Sequence, residues 1–122
     1  MSVRGIRGAI TVEANDRDQI LQATSEMVEQ IVAENAILPE DICSVFITVT
    51  TDLDDTFPAV AIRRLSGWEL VPLMCSLEVP VKGSLEKCIR LMVLVNTDKG
   101  QAEINHVYLG GARVLRPDLS KA

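Results

Sequence analysis

The sequence predicts an α+β fold: a mixed β-sheet with two main helices. Three observations carry this. One long amphipathic run near the N-terminus has the period of a helix. Two β-branched, apolar runs in the middle and second half have the length and composition of strands. The order along the chain is β, long helix, β, short helix, then mainly β, within 122 residues that make one domain, 1–122.

The first element is VRGIRGAITV, residues 3–12, a short strand. Alternation puts Arg7 on one face with Val3, Gly5, Ala9 and Thr11, and Arg4 on the other. Glycines 5 and 8 leave room for close backbone or ligand approach beside Arg7, and equally suit an edge or bulge. Residues 15–35 read as a helix, opened by an Asp16/Gln19 capping box. Its stripe is Ile20, Thr24, Met27 and Ile31, joined by Leu21, Val28 and Val32, as for a helix lying on a sheet. Residues 36–42 connect it to CSVFITVT, residues 43–50. This run is apolar on both faces and is expected to be a central strand covered on both sides.

Asp52, Asp54 and Asp55 then precede Phe57 and a short helix over 58–66, which carries Arg63 and Arg64 and is stopped by Gly67. A strand or extended segment follows at 68–74, then a turn in PVKGSL around Gly83. LEKCIRLMVLV is the second strong strand, NTDKGQAEI a loop, and NHVYL (105–109) a short alternating strand. The tail opens with Gly110 and Gly111 and carries Arg113 and Arg116. Two helices cover only one face of such a sheet. The other needs a further layer, which a homo-oligomer supplies by stacking sheets of neighbouring subunits.

Composition removes several function classes. Twelve Lys plus Arg against seventeen Asp plus Glu give a formal charge of -5, which argues against bulk attraction to nucleic acid. Cys43, Cys75 and Cys88 follow no metal-ligand spacing, and His106 is the only histidine. The N-terminus has no signal-peptide core and no run is long enough to span a membrane, so a cytoplasmic protein with reduced thiols is expected, with neither membrane nor nucleic acid as partner. There is no glycine-rich phosphate fingerprint and no GxSxG, and a Ser-His-acid triad would rest on His106 alone. Cys88 reads as a packed strand residue. Cys75 sits before a turn and needs an activating partner to be a nucleophile.

What stands out is arginine in apolar sequence. Arg90 lies inside IRLMVLV and shares a face with Cys88, Met92 and Leu94. A guanidinium there requires either an internal carboxylate, for which Glu78 across the Gly83 turn is the candidate, or an anionic ligand. With Arg7 and Tyr108 it suggests a small polar cavity in an apolar shell, and two arginine forks favour a small organic polyanion. Glu78 would repel a carboxylate and should face a hydroxyl or positive character. By residue type alone Phe57 reads as core, and Arg63 and Arg116 as solvated surface.

RGIRGAITVE, TTDLDDTFPAVAIRRLSGW, VPLMCSLEVPVKGSLEKCIRLMVLVNTD and INHVYLGGARVLRPDLS occur in this order and cover nearly the whole chain. Together they resemble the monofunctional chorismate mutases of the small trimeric type found in bacilli and related bacteria. The resemblance implies three subunits forming a pseudo-α/β-barrel trimer, with sites between subunits. It implies an isomerase converting chorismate to prephenate by a concerted pericyclic (Claisen) rearrangement in aromatic amino-acid biosynthesis, with no cofactor, metal or covalent intermediate. By the same resemblance the catalytic pair is Arg90, reaching the breaking ether oxygen and a substrate carboxylate, and Glu78, an ionised acceptor near the ring hydroxyl together with Cys75. Arg7 and Tyr108 match binders of the enolpyruvyl carboxylate, and Phe57 and Leu115 match the apolar wall. Arg63 matches a cleft-mouth arginine contributed across the subunit boundary, and Arg116 a tail residue that attracts or covers substrate. Val60 departs from the longer polar residue expected beside Arg63. The competing readings are a trimeric imine deaminase and a trimeric small-metabolite binding protein, each with an interface arginine cleft.

Overall fold

The computed structural model describes residues 1–115. Its elements are β1 (Ser2–Thr11), α1 (Arg17–Asn35), β2 (Ile42–Val49), α2 (Ala59–Arg63), β3 (Leu73–Leu77), β4 (Cys88–Thr97) and β5 (Val107–Tyr108), with short 3-10 turns at Pro39–Asp41, Gln101–Glu103 and Gly110–Val114. The strands form one five-stranded mixed sheet in the order β3-β2-β4-β1-β5. β4 runs antiparallel to both neighbours, while β3 and β5 add in parallel at the edges. The strand carrying Arg90 is thus the middle one. This is the α+β sheet with two helices that the sequence predicts.

The β1–β4–β2 register sorts the side chains into two faces. Ile6 and Ile10, Ile89, Leu91, Val93 and Val95, and Val45 and Ile47 point one way. There they meet Ile20, Met27, Val28 and Ile31 of α1 in one buried core. Alternation alone produces this, because successive strand residues point to opposite faces. The α1 stripe expected from the sequence is the stripe that packs.

The ends of α1 follow local chemistry. The Asp16 carboxylate accepts from Gln19 N–H at 3.1 Å, and the Gln19 amide oxygen accepts from Ala14 N–H at 3.0 Å. The box therefore closes two residues further out than the standard pattern, onto Ala14 instead of Asp16. At the other end Ala36 turns left-handed and its N–H returns to the Val32 carbonyl. Buried Asn35 bonds the Ile31 carbonyl and both backbone polar groups of Asn105, which ties the helix end to the approach of β5.

Three expectations need correction. The second helix is shorter than 58–66: it spans Ala59–Arg63 and gives way to successive turns that end with Gly67 at φ 89. The strand expected over 68–74 starts only at Leu73, because Trp68 is buried in the core and Val71 N–H turns back to its carbonyl. β2 is flanked on both sides but covered on one face only. On the other, Phe46 is 45% exposed, beside Met92 of β4 and Met74 of β3, which is 63% exposed. This is the uncovered layer expected from counting helices. A third copy-to-copy layer is not part of a single chain.

Gly8 faces α1 so closely that a Cβ there would stand 2.8 Å from Ile31 Cδ1 and 3.1 Å from Met27 Cγ. The glycine therefore serves helix-on-sheet packing and not access to Arg7. Gly8→Ala overpacks this contact, and the denaturant midpoint should fall by an amount equivalent to about 1–3 kcal/mol.

Candidate active site

The open face of the sheet gathers the chemistry. Arg90 stands opposite Thr48 on β2 and Ala9 on β1. Ala9 in turn stands beside Tyr108 on β5, and Arg7 opposite Met92. A small residue between Arg90 and Tyr108 leaves a hollow. Its cavity of about 300 Å³ is lined by Arg7, Thr48, Arg90, Tyr108 and Leu115, with Phe46 and Met92 as apolar wall. The structure thus brings together Arg7, Arg90, Tyr108 and Leu115 as expected.

Arg90 has an internal partner, one of the two alternatives that its sequence context left open. Its Nε donates to Glu78 Oε2 at 2.7 Å and its Nη2 to Oε1 at 2.6 Å, a two-point pairing. The Thr48 hydroxyl donates to the same Oε2 at 2.7 Å. The Arg90 donors hold the Glu78 carboxyl below the usual carboxylate range; burial works against this and the Thr48 hydroxyl reinforces it. Glu78 is therefore an anion and an acceptor at neutral pH. The Arg90 side chain keeps 48% of its surface exposed, on the cleft side, so an internal partner and an open face coexist.

The loop from Glu78 to Cys88 is fastened at both ends to the end of β2. Glu78 N–H bonds the Val49 carbonyl at 2.8 Å. Asp52 accepts the Lys87 N–H with both oxygens, at 3.0 and 3.2 Å, and accepts the Thr50 hydroxyl. The Thr50 oxygen in turn accepts Cys88 N–H at 3.0 Å. Lys87 holds a left-handed φ of 48 and turns the chain into β4, which begins at the next residue, Cys88, two residues before Arg90. Both Thr48 and Asp52 were missed as site residues from sequence. Part of the signal for Thr48 was available, since it is, with Ser44, a polar position on one face of an apolar strand; its register against Arg90 comes from the fold.

Three expected residues stand elsewhere in the chain. Phe57, Arg63 and Cys75 line a separate depression of about 430 Å³ at the β3 edge, with Glu69 and Met74. Phe57 is 69% exposed, so the reading of it as core is wrong: it precedes the buried Ala59 and Ile62 of α2 and points outward. Cys75 pairs with Ile47 and packs toward the helix-side core, so within one chain it is not beside Glu78. Arg63 is exposed, as its residue type suggested. Arg116 lies outside the described residues.

Nucleophilic chemistry has little support. Burial raises the Cys88 thiol to about 11, against the pull of Arg90, and Cys88 packs with Ala9, Tyr108 and Ala112. Among the described residues no three His, Cys, Asp or Glu side chains converge to hold a metal, and no helix is long and apolar enough to cross a membrane.

Residues 3–119 match the family described as chorismate mutase type I. The chain is 51% identical over 120 residues to chorismate mutase AroH of Bacillus subtilis, covering 98% of this chain and 94% of that protein. It is 49% identical over 121 residues to AroH of Thermus thermophilus, covering 98% of each. A solved chorismate mutase structure from Clostridium thermocellum superposes with a TM-score of 0.88 at 49% identity, over 91% of this chain and 98% of that one.

The Asp52 clamp has a pH signature. Burial pushes its carboxyl up, but the hydrogen bonds from Thr50 and Lys87 outweigh that and leave it lowered. A lowered carboxyl stabilises the fold above its unfolded value, and the contribution is lost as pH falls through the folded value. Asp52→Ala should cost about 1 kcal/mol at neutral pH, modest because the network is exposed. The gap between the two proteins' denaturation midpoints should close on acidification. An equal gap at acid and neutral pH would exclude the carboxylate as its source.

Proposed function

Because the chain belongs to the chorismate mutase type I family, we propose that its Arg90 cleft rearranges chorismate to prephenate in one concerted pericyclic step. The isomerisation itself is the activity its family and relatives carry by name. The observation that carries the site assignment is the two-point Arg90–Glu78 pair on the central strand, with Arg7 in the same cleft.

The chemistry asks for positioned charge. As the ether C–O bond weakens, its oxygen gains negative charge and the ring gains positive character. A guanidinium has five N–H donors. Two of those on Arg90 are committed to Glu78, and the remainder are available to the ether oxygen and a substrate carboxylate. Because they are held in place before the reaction, they stabilise the transition state more than the ground state. Glu78, kept ionised, accepts from the ring hydroxyl and complements the positive side. No proton transfer is needed, so it is not a general base. Arg7 and Tyr108 bind the enolpyruvyl carboxylate and, with Leu115, keep the side chain folded over the ring in a chair-like geometry.

In this reading two half-sites meet between subunits. Phe57, Arg63 and Cys75 of one copy close over the Arg7–Arg90 cleft of the next, in a homotrimer whose stacked sheets bury Phe46, Met74 and Met92. Arg116 serves the same mouth, and Val60 leaves it less polar than a longer side chain would. We place the enzyme in the cytoplasm, where its three free cysteines remain reduced. No observation favours an imine deaminase or a non-catalytic binder.

The protein should convert chorismate to prephenate without added metal or nucleotide; folded protein without turnover would remove the proposal. Arg90→Ala should leave a folded assembly and lower kcat/KM by roughly 10²–10³, the cost of one donor to a developing oxyanion. Replacing Arg90 by citrulline keeps the shape and removes the charge, and near-normal kcat/KM there would show that the charge is not the main contribution.

The shared site has its own test. Arg90→Ala and Arg63→Ala proteins should each be impaired. Co-refolded at equal amounts, they should regain activity in roughly a quarter of the clefts, those that receive both arginines from different chains. A fully active monomer would contradict the shared site.

A further inference from the structure

We propose that Thr48 is a positioning residue: its hydroxyl locks Glu78 onto the inner edge of the Arg90 guanidinium, so that the outer edge stays free for the reacting anion. The inference rests on the proposed reading of the cleft as the chorismate site and adds the device that keeps its two charges apart from each other's work.

The geometry is specific. Glu78 opens the loop that follows β3, and from its own stretch of chain its carboxylate receives the Val79 backbone N–H. A carboxylate can pair with a guanidinium along the Nε/Nη2 edge or along the Nη1/Nη2 edge, and both are two-point pairings. The observed pairing uses Nε and Nη2. If Glu78 slid to the other edge, it would occupy the donors the substrate needs and neutralise them. Thr48 prevents this slide. It stands directly across from Arg90 in the β2–β4 register, and its Oγ1 reaches Oε2 at 2.7 Å, the oxygen already bound by Nε. Only the inner pairing satisfies Thr48 and Arg90 Nε with one oxygen. A β-branched side chain on an internal strand has little rotamer freedom, so the hydroxyl is held where it is needed.

The surroundings leave Thr48 this role. Glu78 is faced by Arg90 and the Cys88 thiol from β4, by the Thr48 hydroxyl from β2, and by Asp52 and Glu86 across the loop hollow. Arg90 supplies the positive charge, and the Val79 backbone N–H adds a donor from Glu78's own loop, so among the side chains facing Glu78 from other elements Thr48 is the uncharged donor that selects the edge. The lowered Glu78 carboxyl agrees, since the Thr48 bond favours the ionised form.

Thr48→Val keeps the shape and β-branching and removes the hydroxyl, whereas Thr48→Ser keeps the hydroxyl. Two readouts are needed: kcat/KM with chorismate, and the acid titration of the Glu78 side-chain carboxyl carbon in the ¹³C-labelled free protein, assigned with Glu78→Gln. Thr48→Val should lose about ten- to hundredfold in kcat/KM, as for a hydrogen bond to a charged group. Its Glu78 midpoint should move to higher pH. Thr48→Ser should restore both. Unchanged kcat/KM in Thr48→Val, an unmoved Glu78 midpoint, or a loss in Thr48→Ser as large as in Thr48→Val would each overturn the proposal. The titration reads the lock without substrate. Lack of chorismate turnover in the unsubstituted protein would therefore fail the functional reading alone, and the midpoint would still decide the lock.

Discussion

The two-point pair between Arg90 and Glu78 is the constraint around which the site is arranged. A guanidinium on the middle strand of a five-stranded sheet has its Cα held by hydrogen bonds to both neighbours. It cannot retreat to solvent at an edge, so its side chain either finds a carboxylate or emerges into a cavity. Here it does both. The pair is half exposed on the arginine side, so its net contribution to stability is small. Its value is orientation: it turns a flexible cation into a fixed array of donors on a rigid element.

Most of the neighbouring structure serves that orientation. The end of β2 supplies, in sequence, a hydroxyl to Glu78 from Thr48, a carbonyl to its N–H from Val49, a hydroxyl to Cys88 N–H from Thr50 and a carboxylate to Lys87 N–H from Asp52. One strand end thus holds both the start of the loop, where Glu78 sits, and its return into β4, where Arg90 follows. On the opposite side of the sheet α1 packs so closely that a Cβ at Gly8 would press on the Ile31 and Met27 side chains. The sheet is packed from the back, and within one chain its front is uncovered. The open front is apolar around the charges, with Phe46 and Met92 beside Arg7 and Arg90, a mixture that suits the strong electrostatics of the proposed anion site.

How far the sequence reveals this depends on the range of the interactions. Local rules worked where the interaction is local: the Asp16/Gln19 cap, the α1 stripe and the alternation that puts Arg90 on the polar-bearing face of β4 were all readable. They failed where a distant contact decided. Residues 68–72 look extended until Trp68 is needed to fill the core, and the backbone then folds into turns. Phe57 has the residue type of a core position, but exposure depends on which side of α2 meets the sheet, and Ala59 and Ile62 hold that side. The choice between ligand and ion pair at Arg90 was also undecidable from spacing, because Glu78 lies across a loop whose ends are fastened by residues of another strand. Family resemblance supplied roles for Phe57, Arg63 and Cys75 that one chain does not bring to Arg90.

That the thiol beside Arg90 is not activated follows from the same arrangement. Cys88 lies on the open face two residues from Arg90, where a cation would be expected to favour a thiolate. Burial among Ala9, Tyr108 and Ala112 wins, and its thiol is raised to about 11. Arg90 meanwhile spends its nearest donors on Glu78, not on sulfur. The site therefore keeps one anion ionised and one cation oriented, and leaves its buried thiol neutral. Such a set cannot attack a substrate or shuttle a proton efficiently at neutral pH. In the proposed reading it presents opposite charges, at fixed separation, to a reaction in which charge separates in place.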